Sequence, residues 1–388
     1  MTPNHVQEAS PPEGRIRQDP FLFVVCQQGV EPTIKQKWAG KNSPLRLAFS
    51  RPCFLSFKFS PNAPFVGCED NQVDEMLERL AADWPVRHCG KALGNVRGQE
   101  AGAMIQEALK LAETVRPLSE WGAVHVFQRD SDLPGSSGFE PGPTEVSESV
   151  AQLVREALAD QPLSKQVNQT VSPQTRVFNI LIVEPDQWLI GEHQAQRPQS
   201  CWPGGVIEVA PPTEMISRAY LKLGEAVLWS QLPMQPGDKI VEIGSSPGGS
   251  CQRLLDLGLF VTGIDPAEMH PMLLEHPRFE HWRGKAVGIR RRMFAKFRWL
   301  NADASVAPNY TLDAVEDIVN YKTSRIEGML LTLKLTSYDL AQYMEQYVAR
   351  IRSWDFERVE VRQLASNRRE CCVVAQRAPG WKPSRTES

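Results

Sequence analysis

Between residues 216 and 354 helix-spaced and strand-like runs alternate, and this alternation restricts the fold more than any other feature of the chain. ISRAYLKLGEAVLWS (216–230) carries apolar residues at helical spacing, DKIVEIG (238–244) is a strand, SCQRLLDLG (250–258) a helix and FVTGID (260–265) a strand. FRWLNAD (297–303) and GMLLTLKL (328–335) are further strands, with TLDAVEDIVNYK (311–322) and a long DLAQYMEQYVARIRSW (339–354) as helices. Strands rich in Val, Leu and Ile and separated by helices predict an α/β fold: a Rossmann-like, doubly wound parallel sheet covered on both faces.

The earlier half reads differently. PFLFVVCQ (20–27) fits a strand, VEPTIKQKWAG (30–40) a short helix and LRLAFSRPCFLSFKFS (45–60) strand material, a β-α-β start. DEMLERLAADW (74–84), QEAGAMIQEALKLAETV (99–115) and VSESVAQLVREALAD (146–160) have helical periodicity. WGAVHVFQRD (121–130) is a strand, DLPGSSGFEPGPTE (132–145) a long loop, and VFNILIVEPDQWLIGEHQA (177–195) a hairpin about Glu-Pro-Asp-Gln. The Pro- and Gly-rich SCWPGGVIEVAPPTEM (200–215) predicts the main boundary. The expected organisation is a disordered tail over 1–19, an α+β module over 20–204, the α/β domain over 205–380 and a short tail over 381–388.

No window approaches the about 18 apolar residues of a membrane span, and the first twenty residues, MTPNHVQEASPPEGRIRQDP, lack the apolar core of a signal peptide, so a cytoplasmic protein without membrane contact is expected. Cys26, Cys53, Cys68, Cys89, Cys201, Cys251, Cys371 and Cys372 show neither CxxC nor Cys/His ligand spacing, which predicts reduced structural thiols and no metal. Residues 1–210 carry 19 Lys and Arg against 25 Asp and Glu, and residues 211–388 carry 24 against 21, so a polyanion should prefer the second half.

The loop VEIGSSPGGS (241–250) joins a strand to a helix N-terminus, where backbone N–H groups and the helix dipole favour a polar ligand. About twenty residues on, Asp265 closes the next strand, where a carboxylate can accept from ribose hydroxyls. The glycine spacing is wrong for a dinucleotide, because Ser246 occupies the middle glycine position of that fingerprint. Gly244, Gly248 and Gly249, with Pro247 among them, suit an adenosyl group that lacks a pyrophosphate; a turn that serves only helix packing is the competing explanation.

Three charged residues fall at strand ends, Asp265, Asp303 and Lys334, and Lys334 is unusual because its strand should be buried on both sides. Lys222 in SRAYLKLGEA and Glu370 in RQLASNRRECCVV accompany it. Together these residues resemble the Lys-Asp-Lys-Glu tetrad of the FtsJ-type ribose 2′-O-methyltransferases, and their order is most similar to the ribosomal RNA large subunit methyltransferase M group. The resemblance spans about 217–376 and implies that Lys334, Lys222, Asp303 and Glu370 are catalytic, and that Gly244, Ser246, Pro247, Gly248, Gly249, Asp265 and Asp303 hold S-adenosylmethionine. It implies a substrate as well: a ribose 2′-oxygen, of a cytidine in large-subunit ribosomal RNA. It further implies ferredoxin-like and THUMP-like parts within 20–204, a module expected to bind RNA. A ribose hydroxyl is a poor nucleophile, so a base and fixed geometry are required. Moving a lysine from about 10.4 to near 7.5, where it can act as that base, takes roughly 4 kcal/mol.

Several positions depart from the family. Glu242 stands for Asp, Ser250 for an aromatic residue and Ala219 for a small polar one, and Lys285 stands where an acid meets the adenine. Lysine offers no acceptor to the adenine amino group. These departures motivate the alternative of a degenerate methyltransferase that binds RNA or assists ribosome assembly without catalysis; the intact tetrad argues against it. The stretch HWRGKAVGIRRRMFAKFRWL (281–300), with seven Lys and Arg, no acid and four aromatics, reads as an RNA-tracking surface or as a solvated helix and strand start.

Overall fold

A computed structural model describes residues 21–61 and 70–381; the expected tails over 1–19 and beyond 381, and Cys68, lie outside the described residues. The alternation after residue 216 folds into a sheet built from β8 (Lys239–Ile243), β9 (Phe260–Asp265), β10 (Phe279–Arg283), β11 (Trp299–Ala302), β12 (Gly328–Lys334), β13 (Arg358–Arg362) and β14 (Glu370–Gln376). Their order is β10-β9-β8-β11-β12-β14-β13. The winding reverses between β8 and β11, which opens a crevice beyond their carboxyl ends, the usual ligand position in such sheets. This is a Rossmann-like α/β sheet. The helices α5 (Ala219–Ser230), α6 (Gly249–Asp256), α8 (Pro308–Val319) and α9 (Met344–Arg352) pack on it, and α7 (Pro271–Leu274) is a single turn beside the glycine loop.

The expectation of a wholly parallel sheet is corrected. β14 runs antiparallel to both β12 and β13. Only residues 363–369 separate β13 from β14, too few for the dozen or more residues that a parallel crossover needs. The reversal places the first residue of β14 beside the last residue of β12, Lys334 opposite Glu370. The long helix expected over 339–354 is also shorter: residues Tyr338–Tyr343 form a 3-10 turn, and α9 begins at Met344. Ser337 Oγ accepts from Asp339 N at 3.2 Å and starts that turn. β10, FEHWR, carries too little alternation to be read as a strand from sequence, and β13, RVEVR, alternates over only five residues.

The earlier residues form a second seven-stranded sheet, order β2-β3-β1-β4-β7-β6-β5. Its elements are β1 (Phe21–Cys26), α1 (Glu31–Trp38), β2 (Leu45–Arg51), β3 (Phe54–Phe59), α2 (Asp70–Ala82), β4 (Val86–Arg97), α3 (Ala101–Val115), β5 (Ala123–Gln128), α4 (Glu145–Ala157), β6 (Arg176–Glu184) and β7 (Gln187–Gln194). The hairpin expected over 177–195 is β6 and β7. β4 was not legible: VRHCGKALGNVR mixes cations and glycines, yet it is the central strand, paired with β1 on one side and β7 on the other. Gly90 in β4 is required there, since a Cβ would meet the Phe23 ring at 2.7 Å. Among the described residues no helix is long and apolar enough to cross a membrane.

Inside this sheet lie three buried histidines, His88, His125 and His193, with ring centroids of the 88–193 pair 4.5 Å apart. His193 engages Asn179 at 2.8 Å and the Ser200 carbonyl at 2.8 Å, and His125 Nε2 lies 3.0 Å from the Gln169 carbonyl. Burial pushes all three down, His125 to about 3 and His193 to about 4. The unfolded chain protonates its histidines near about 6.5, so between that value and about 4 it takes up protons that the folded chain refuses. Stability should therefore fall as pH drops through this window, by up to about 3 kcal/mol for His193 alone. Urea denaturation across pH 7 to 5, above the range of the carboxylates, should show the decline, and a His125→Asn chain should show a shallower one.

Candidate active site

Four elements deliver one side chain each to the crevice rim. α5 buries Leu223, Ala226 and Trp229 and leaves Lys222 at the helix edge. Asp303 follows β11, Lys334 ends β12, and Glu370 begins β14. The four side chains close into a ring of alternating charge. Lys222 Nζ is 2.5 Å from Asp303 Oδ2 and 2.9 Å from Glu370 Oε1; Lys334 Nζ is 2.7 Å from Asp303 Oδ1 and 2.7 Å from Glu370 Oε2. Both lysines donate hydrogen bonds to Glu370.

The ring is mostly shielded from solvent, and Lys334, at 21% side-chain exposure against 16% for Lys222, is the more open of its two cations. Burial opposes the charged form of Lys222, but Asp303 and Glu370 overcome it and hold the ammonium above the ordinary lysine range. Burial likewise opposes ionised Asp303, and the two lysines hold its carboxyl below the usual range. Lys222 is thus held in its charged form by its two acids.

The glycine loop adjoins this ring. Gly244 has φ +80°, and a Cβ there would press on the Asp303 carbonyl and Ala304 Cα at 2.8 Å, so the loop and the Asp303 turn touch through backbone. Gly248 has φ +121° with Leu273 of α7 directly against it, and Gly249 packs on Ser217. The last two glycines therefore have packing reasons independent of any ligand. Asp265 binds the loop from the other side: its carboxylate accepts from Ser246 N at 3.2 Å and from Ala267 N at 2.8 Å, while Ser246 Oγ donates to the Glu268 carbonyl at 2.8 Å. His270 N donates to the Pro247 carbonyl at 3.0 Å. Gly244, Ser246, Pro247, Gly248, Gly249, Asp265 and Asp303 consequently border one crevice.

Glu242, under the loop, is fully buried; burial pushes its carboxyl up to about 8, and Cys251 Sγ donates to it at 3.0 Å. Ser250 Oγ reaches the Ala219 carbonyl at 3.4 Å. Lys285 is exposed at the start of a 3-10 turn after β10. Sequence reasoning missed Glu225, whose buried carboxylate accepts from Ala365 N and Ser366 N at 2.8 Å each. Its signal was present: an acid three residues after Lys222, on the buried side of α5.

No family model matches the chain. It is similar to curated proteins named ribosomal RNA large subunit methyltransferase M. The one from Halorhodospira halophila is 30% identical over 184 residues, 46% of this chain and 52% of the relative. That from Laribacter hongkongensis is 28% identical over 185 residues, 45% and 52%. That from Marinobacter nauticus is 26% identical over 309 residues, 69% and 84%. The chain thus spans about half the length of the first two relatives. Among solved structures, the Methanococcus jannaschii fibrillarin pre-rRNA processing protein aligns over 51% of this chain and 81% of its own at 14% identity and TM-score 0.33, too distant to add to the topology.

Removing one acid leaves two ammonium groups facing a single carboxylate in a shielded ring. Breaking a fully buried pair costs about 3–5 kcal/mol, and the partial exposure reduces this to roughly 2 kcal/mol. Asp303→Asn should therefore lower the melting temperature at neutral pH. The loss should begin to shrink as pH falls below the unfolded carboxyl value of about 3.9 and vanish only once pH has dropped through the lower value that Asp303 has in the folded chain, because the contribution of a depressed carboxyl is lost across that interval.

Proposed function

We propose that this chain, similar in sequence to the ribosomal RNA large subunit methyltransferase M group, methylates a ribose 2′-oxygen of RNA with S-adenosylmethionine, its substrate a cytidine of large-subunit ribosomal RNA. The observation that carries the reading is the closed Lys222–Asp303–Lys334–Glu370 ring beside a glycine loop and a strand-end acid. The loop and Asp265 suit the ribose and the aminoacyl part of the methyl donor. The exposed Lys285 does not suit the adenine amino group, so adenine recognition rests on other groups. When bound, the donor supplies an electrophilic methyl on a sulfonium.

The residues then divide the work. Lys334, the more open cation, would accept the 2′-hydroxyl proton on Nζ once it has released its own to solvent, which makes the 2′-oxygen a stronger nucleophile toward the donor's methyl group, whose bond to sulfur would break as the new bond forms. Lys222 stays charged and balances the two acids. Asp303, which touches both lysines and the loop backbone, orients Lys334 toward the donor side, and Glu370 fixes the spacing of the two Nζ atoms.

The basic stretch supports RNA as partner in a reduced form. Arg291, Lys296 and Arg298 are engaged by Asp317, Glu280 and the pair Asp238 and Glu327. Lys285, Arg290 and Arg292 are exposed on turns that follow the carboxyl end of β10, near Asp265, and can meet phosphates. The first sheet opens with a β-α-β-β-α-β run, a ferredoxin-like order. We assign ferredoxin-like and THUMP-like parts to 20–204 and the methyltransferase domain to 205–380, in a cytoplasmic protein.

With labelled S-adenosylmethionine and large-subunit ribosomal RNA, Lys334→Ala should lower kcat by about a hundred-fold or more. Near-normal turnover of the variant would remove Lys334 from the base role, and tight RNA binding without turnover in the parent would favour an assembly factor. Arg290→Glu with Arg292→Glu should weaken RNA binding and reduce the slope of log affinity against log salt by about 2, with donor affinity unchanged.

A further inference from the structure

Glu370 is not anchored by its own strand alone. It follows the loop 363–369, and that loop is held largely by residues from the loops and turns around the first sheet. Gln27, buried at the end of β1, donates its amide to the carbonyls of Ala365 and Asn367. Gln363 N donates to the Trp84 carbonyl at 2.9 Å, and Arg368 Nε donates to the Pro134 carbonyl at 2.6 Å. One residue before the loop, the buried Arg362 guanidinium donates to the carbonyls of Ala81 and Val86 at the end of α2 and the start of β4.

The turn that presents Gln27 is itself braced. Glu31 accepts from Gly29 N at 2.8 Å and from Cys53 N at 2.7 Å. Gly29 has φ +90°, and a Cβ there would lie 3.2 Å from the Tyr338 ring. Tyr338, from the turn after β12, accepts from Gln363 Nε2 at 3.1 Å. From the opposite side Glu225 takes the Ala365 and Ser366 amides, and it shares α5 with Lys222. The loop is therefore gripped by the helix that carries one tetrad lysine, by the segment that follows the other, and by the loops and turns around the first sheet.

We propose that Gln27, just after β1, is a positioning residue for the methyl-transfer site: through the 363–369 loop it sets Glu370, and with it the separation of Lys222 and Lys334. The residue that follows β1 of the first sheet then takes part in shaping the active site. This rests on the tetrad reading given above. Gln27 and Arg368 bond to neither the ring nor the glycine loop, so their loss reaches the ring through the 363–369 loop that leads into Glu370. Misplacing a reacting group by about 1 Å costs up to about a hundred-fold in rate, whereas donor binding depends on the glycine loop and Asp265, to which neither Gln27 nor Arg368 is bonded.

The full chain carrying Gln27→Met, which keeps the volume and removes the donor, tests this alongside Arg368→Ala, whose exposed side chain makes unfolding an unsatisfactory explanation for any effect. Both should lower kcat at saturating donor, Gln27→Met by about ten-fold or more. Affinity for S-adenosylmethionine by calorimetry should be unaltered, and amide exchange over 365–370 should be faster in both. Unchanged kcat in both variants, or a rise in donor dissociation constant that accounts for the whole loss, overturns the proposal. If the parent chain transfers no methyl group, the functional reading fails by itself. The exchange measurement then decides, and unchanged protection over 365–370 in both variants overturns the positioning role.

Discussion

The antiparallel seating of β14 is the constraint from which the site follows. In a parallel sheet the strands present their last residues at the ligand rim, and Asp265, Asp303 and Lys334 arrive there in that way. A strand of opposite direction presents its first residue instead, so Glu370 can meet Lys334 at 2.7 Å although the rest of β14 descends away from the crevice. The ring closes because two directions of chain meet at one edge.

Closing it has an electrostatic logic. Two ammonium groups in a shielded crevice repel, as do two carboxylates, but in alternation each charge touches two of opposite sign and the sum is neutral. The consequence is unequal lysines. Lys222, at 16% side-chain exposure, is held charged by Asp303 and Glu370, while Lys334, which touches the same two acids, is the more exposed at 21%. The family resemblance assigns both lysines to the site; the structure shows them differing in exposure, with the same two acids as partners.

The same backbone contacts connect the two sheets to this ring. Buried Arg362, Gln27 and Glu225 spend their hydrogen bonds on main-chain groups of the loop or of the facing sheet. A loop with buried peptide groups needs partners for each of them. Here the partners come from both halves of the chain, so the two sheets share one structural requirement even though their charge balance and topology differ.

Much of this could be read from the residues. The alternation after 216 specified the α/β sheet, and the resemblance to the ribose methyltransferases picked out the four charged residues that the structure brings into one ring; a strand-end lysine by itself can also snorkel to solvent. The glycines were less informative than they looked, since Gly248 and Gly249 are explained by Leu273 and Ser217. β4 escaped because its pairing is dictated by neighbours on both sides and not by its own alternation. What the sequence determined by itself was which residues are chemically out of place and the class of sheet that carries them. Strand direction at β14, the difference between the two lysines and the role of Gln27 were decided only by tertiary structure, because each depends on groups 36 to 340 positions apart in the chain, and no local periodicity records such a meeting.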